Sequence, residues 1–105
     1  MTFFLFGVSW VSLIEILDNL KKKGVDAYKV RKMLEEYERL STYANDYITK
    51  YDISTLVLYY HFPQNDEVHE GVADLLGVYV DTLDRVPAED KKRLIDLIVD
   101  YLDRR

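Results

Sequence analysis

The chain has no cysteine, and its 105 residues include only two prolines, four glycines, two histidines and one tryptophan. Without thiols there are no disulfides, no cysteine nucleophile, no iron–sulfur cluster and no cysteine-based zinc site. The glycines, Gly7, Gly24, Gly71 and Gly77, are isolated from one another, so no glycine-rich loop is available to cradle a phosphate. No low-complexity stretch, linker or internal repeat interrupts the sequence. Cations are in the minority: 14 Lys and Arg stand against 19 Asp and Glu, a formal charge of −5 at pH 7. That balance argues against a general nucleic-acid binder, which needs clustered Lys and Arg at the phosphates. The apolar stretch 2–14, TFFLFGVSWVSLI, is shorter than the ~18 residues a membrane span requires. No Lys or Arg precedes it, no small-x-small cleavage site follows, and Glu15 and Asp18 end it. The expectation is a cytoplasmic protein with no membrane span, in keeping with the missing cysteines.

What is present reads as one folded domain over residues 1–105. Hydrophobic residues make up 49% and charged residues 31%, and folding a chain of this size buries roughly 65% of its unfolded surface. The sparse punctuation marks helix ends. Gly24 follows Lys21, Lys22 and Lys23, the pattern of a helix C-terminus with a left-handed cap, and Asp26 then serves as the next N-cap. Pro63 closes the run 53–62, with Asp66 and Glu67 beyond it as a cap and first-turn acid, and Pro87 stands at a helix start ahead of Glu89 and Asp90.

Apolar residues recur at helical spacing in three segments. Over 27–51 one face carries Val30, Met33, Leu34, Tyr37, Leu40, Ala44, Tyr47, Ile48 and Tyr51, with Arg31, Glu35, Glu38 and Arg39 opposite. Over 66–86 the stripe is Val68, Val72, Leu75, Leu76, Tyr79, Leu83 and Val86, with Glu67, Glu70, Asp74 and Asp81 opposite. Over 88–104 it is Leu94, Ile95, Ile98, Tyr101 and Leu102. A further helix runs to Leu20 through Phe6, Trp10, Leu13 and Leu17. Ser12 and Glu15 match a capping box that would start this helix near Ser12 and leave 3–8 extended. The run 53–62, ISTLVLYYHF, is apolar on every side, which fits a buried strand as well as a helix; a helix capped by Asp52 or Ser54 is the expectation, since a two-stranded sheet is marginal. The fold expected is all-α, a bundle of four or five helices, with short strands at 3–8 and 55–62 as the alternative.

Few constellations carry chemistry. Neither His61 nor His69 has a second histidine one turn away, so His61 reads as a tethered boundary residue and His69 as a polar flank of its stripe. Glu35 and Glu38 form a Glu-x-x-Glu pair that Glu67 and Glu70 repeat. The passage 67–83, EVHEGVADLLGVYVDTL, is similar to the second motif of the MazG-type all-α nucleotide pyrophosphohydrolases, in which such pairs hold magnesium against a triphosphate. That motif has Glu-x-x-Asp, whereas three residues separate Glu70 from Asp74 here, and all four glutamates project from the faces opposite the apolar stripes. Hard cations need converging oxygens, so neither a metal site nor a cofactor is expected. Lys21, Lys22, Lys23, Lys29, Arg31 and Lys32 form a basic cluster in a helix-turn-helix-like setting, but Glu35, Glu36 and Glu38 follow within two turns.

Nine tyrosines are many for this length. Tyr37, Tyr47, Tyr51, Tyr59, Tyr60, Tyr79 and Tyr101 sit in the stripes or in the run 53–62, where partial burial with a polar tip suits core edges and interfaces. Phe4, Val8 and Val11 share the side of the first helix that later carries Glu15, turned away from the Phe6–Trp10–Leu13–Leu17 stripe, and mark a candidate interface. The reading that follows is a non-enzymatic interaction or regulatory module whose partner is another protein, a second copy of itself included. A DNA-binding regulator using Lys21–Lys32 and a metal-dependent nucleotide hydrolase using the glutamate pairs are the alternatives.

Overall fold

The computed structural model describes residues 10–82 and 86–104, and every regular element among them is helical. Five helices follow in order: α1 (Trp10–Lys22), α2 (Ala27–Ser41), α3 (Lys50–His61), α4 (His69–Thr82) and α5 (Ala88–Asp103). The helix expected over 53–62 is therefore present as part of α3, with Phe62 as its cap, while 3–8 lies outside the described residues. Each helix packs mainly on two others, giving the closed order α1–α4–α3–α2–α5 and back to α1. Leu20, Val30, Met33, Leu34, Val72 and Leu75, from α1, α2 and α4, are completely buried at the centre. Among the described residues no helix is long and apolar enough to cross a membrane.

Local chemistry sets the helix ends. Gly24 takes φ 74°, the left-handed conformation that stops α1. The Val25 amide donates to the Leu20 carbonyl and the Gly24 amide to the Lys21 carbonyl, a Schellman closure, with Val25 and Leu20 both reaching the core. Asp26 caps α2 by accepting from the Tyr28 and Lys29 amides at 3.0 and 3.3 Å. Pro87 occupies the cap of α5, one residue earlier than a first helical position, and its carbonyl accepts from Asp90 and Lys91. α1 includes Trp10 and Val11, so Ser12 lies inside the helix and does not begin it.

The helix expected over 27–51 is in fact two. α2 ends at Ser41, and the Asn45 carboxamide accepts from the Tyr47 and Ile48 amides at 2.7 and 2.9 Å, folding the chain into an Asx turn. Thr49 then opens α3 through a reciprocal capping box: its hydroxyl accepts from the Asp52 amide and the Asp52 carboxylate accepts from the Thr49 amide. Asp52 is the distal half of the cap rather than the cap itself, and Ser54 donates to the Tyr51 carbonyl instead. These short side chains offered the backbone local partners that competed with helix continuation. Tyr47 and Ile48, expected on the buried stripe, are consequently exposed.

α4 is the most enclosed helix. His69, Gly71, Val78 and Val80 are buried beside the expected stripe, leaving Glu70, Asp74, Gly77 and Asp81 as a narrow solvent-facing line. His69 is thus a core residue rather than a flank: its Nδ1 donates to the Phe62 carbonyl at 2.8 Å and its ring lies 4.9 Å from that of Tyr59. At Gly71 a Cβ would stand 2.7 Å from Leu20 Cδ2, so the missing side chain lets α1 and α4 approach. Gly77 faces open space instead. Gly77→Ala should therefore raise stability by about 1 kcal/mol through helix propensity. Gly24→Ala should lower it by roughly 1 kcal/mol through left-handed strain. Urea denaturation of the two variants measures both signs.

Candidate protein-interaction surface

α3 supplies the largest departure from ordinary burial. Ile53, Val57 and Leu58 point inward, yet the opposite face carries Leu56, Tyr59 and Tyr60, with Asp52 as its one charge a turn before Leu56. Leu56 is 66% exposed and Tyr60 78%, with Tyr51 and Tyr59 about half exposed. At roughly 200 Å² per tyrosine, the uncovered parts of Tyr51, Tyr59 and Tyr60 together with Leu56 expose several hundred Å², the range in which a patch is often functional. α3 is anchored beneath this face at both edges. Tyr51 donates to Asp81 at 2.8 Å and Tyr59 meets His69, so α3 and α4 run antiparallel. On the other edge His61 Nε2 lies 3.0 Å from Glu36 Oε1, and the Lys29 ammonium sits 4.7 Å above the Phe62 ring. His61 is the tethered boundary residue that was expected.

Charge differs across the two edges. Along α4, Glu70 and Asp74 have no cationic partner among the described residues, and partial burial, then Glu70, raises the Asp74 pKa. A raised native pKa means that the folded state holds this proton more tightly than the unfolded chain does, so ionising Asp74 costs stability as pH rises past the ordinary carboxylate range. Asp74→Asn should accordingly stabilise the fold by a few tenths of a kcal/mol at pH 7 and by nothing at pH 3. Parallel denaturation series at the two values check the sign.

The tyrosines divide by role. Tyr37 and Tyr79 are buried edge-to-face at 6.1 Å between ring centroids, and the Tyr79 hydroxyl donates to Glu38 at 2.8 Å. Tyr101 is half-buried and donates to Asp18. Tyr47, Tyr51, Tyr59 and Tyr60 are the exposed members of the set.

The glutamates do not converge. Glu38, expected to project outward, turns instead between α2, α4 and α5, where it also meets Lys91 at 3.6 Å. A position one residue off the apolar stripe still borders the core where two helices flank it, and the buried Tyr79 hydroxyl draws the carboxylate in. Glu35 is paired with Arg31, while Glu67 and Glu70 lie exposed on and just before α4. No three carboxylates or histidines among the described residues are grouped to hold a metal ion. The basic cluster is also divided: Arg31 turns toward Asp96 on α5 at 2.7 Å, Lys29 toward Phe62, and Lys21 toward the Tyr101 ring on α5. Phe4 and Val8 of the N-terminal candidate interface lie outside the described residues. Val11 falls within α1, with its side chain likewise outside the description. α1 does contribute to an apolar groove against α5, about 280 Å³ in volume, lined by Leu13, Ile14, Leu17, Leu94, Leu97 and Ile98.

Fold and surface together define a small helical bundle in which the outer face of α3 is an uncovered, tyrosine-bearing surface. Compared with protein-family models, with curated proteins and with solved structures, the chain matches none.

Proposed function

We propose that this chain is a non-enzymatic protein-interaction module that binds its partner on the outer face of α3. One observation carries the reading: from Ile53 to Tyr60 α3 holds no charge and places large apolar side chains on both faces, and the fold buries only one of them. A helix that is apolar all round normally lies inside a larger assembly. Tyrosine and leucine on a rigid helix suit a binding centre, since aromatic anchors there supply most of an interface's energy.

Affinity capture with the wild-type chain and with Leu56→Asp/Tyr60→Asp, followed by rebinding of the identified protein in purified form, tests this. The expected result is a partner that binds the wild type and loses at least ten-fold in affinity for the variant. Equal binding of every retained protein to a folded variant would overturn the assignment.

A further inference from the structure

The charge pattern around α3 identifies what fits that face. On its α2 edge stand Lys29, Lys32 and Arg39. Lys29 lies over Phe62, Lys32 follows one turn later with its ammonium over the Tyr28 ring, and Arg39 pairs with the same Glu36 that holds His61. Glu36 lies among them, and the row remains positive. On its α4 edge stand Glu70, Asp74 and Asp81, entirely negative, with Asp81 tied to α3 through Tyr51. Beyond Asp52, the outer face of α3 is therefore a largely apolar strip between a basic and an acidic border.

We infer that this face, on the interaction-module reading above, binds a second copy of the same chain, with the two-fold axis lying along α3. The argument is geometric. Two copies face to face about an axis parallel to α3 set α2 of each against α4 of the other. Each basic border then meets an acidic border, and the contact repeats twice by symmetry. An axis perpendicular to α3 would instead set α2 on α2 and α4 on α4, like charge on like, which opposes association. Leu56, Tyr59 and Tyr60 meet their own counterparts across the axis. Their exposed area with the two borders reaches the lower range of specific interfaces, about 1,200 Å² in total. The repulsion from Glu70 that disfavours charge on Asp74 is offset when a Lys row lies against it. Because each copy carries −5 overall, association depends on this local match rather than on long-range attraction.

Sedimentation and oxidative cross-linking test the arrangement, and the cysteine-free chain makes single-cysteine variants unambiguous. Wild type should form a concentration-dependent dimer, and Leu56→Asp should weaken it at least ten-fold. Glu70→Lys/Asp74→Lys and Lys29→Glu/Lys32→Glu should each weaken self-association by a similar factor, and an equimolar mixture of the two should restore it. Thr55→Cys and Tyr59→Cys should each cross-link with itself, as parallel α3 helices require. Cross-linking only when these two are mixed would place the axis across α3 and overturn the arrangement. A wild type monomeric at several hundred micromolar, or a dimer insensitive to Leu56→Asp, would overturn the second-copy inference. In that case a foreign partner lost with Leu56→Asp/Tyr60→Asp leaves the interaction-module reading standing, and no such partner removes both.

Discussion

Leu75→Ala should lower the unfolding free energy by 2–5 kcal/mol, whereas Leu56→Ala should change it by less than about 0.5 kcal/mol. Leu75 is completely buried on α4, the helix most enclosed by its neighbours, and its truncation leaves a void that rigid helices on several sides cannot close. A domain of this size has only about 5–15 kcal/mol to lose, so Leu75→Ala should also shift the urea midpoint visibly. Leu56, two-thirds exposed on α3, leaves no cavity when cut back. Two leucines that look alike in composition thus differ several-fold in their effect on the fold. Equal losses at the two positions would mean that α3's outer face is packed after all.

The second large effect concerns the polar seam between α2, α4 and α5. Glu38→Ala should cost about 2–3 kcal/mol, more than Tyr79→Phe at about 1 kcal/mol. Tyr79 is buried, and its hydroxyl donates to Glu38. Burial first, and then that bond, lift its pKa well above the usual tyrosine range, so it remains a neutral donor at physiological pH. Removing Glu38 strands that donor in the core and deprives Lys91 of its counter-charge. Removing the hydroxyl leaves Glu38 with Lys91 and partial access to water, which can satisfy the carboxylate. The asymmetry between the two variants distinguishes a desolvated donor from an ordinary surface ion pair, which would give similar, smaller losses for both.

Much of this architecture is legible in the sequence because burial follows period. Val30, Met33, Leu34 and Tyr37, and then Val72, Leu75, Leu76 and Tyr79, fall on the faces that their spacing predicts. Gly24 and Asp26 terminate and start helices where their conformational and capping chemistry requires. The break at 42–49 was hidden for a physical reason: Ala44, Tyr47 and Ile48 continue the apolar period by chance, while Asn45 and Thr49 decide the backbone through hydrogen bonds that periodicity does not register. His69 misleads in the same way, since burial was made tolerable by a single carbonyl, that of Phe62, which sequence spacing does not place. The surface on α3 was half visible. Its run of apolar residues is plain in ISTLVLYYHF, but which residues face water depends on where α2 and α4 cover it. The signal was the absence of any charged residue from Ile53 to Tyr60.

The account turns on α3 holding the fold with one face and leaving the other free. Its most direct test is urea denaturation of Leu56→Asp/Tyr60→Asp beside the wild type at low micromolar concentration, where association contributes nothing. The predicted result is an unfolding free energy within about 1 kcal/mol of the wild type and an unchanged denaturant dependence, since neither side chain is enclosed by the bundle. A loss of 3 kcal/mol or more, or a collapse of the cooperative transition, would show that Leu56 and Tyr60 belong to the core and would contradict the account.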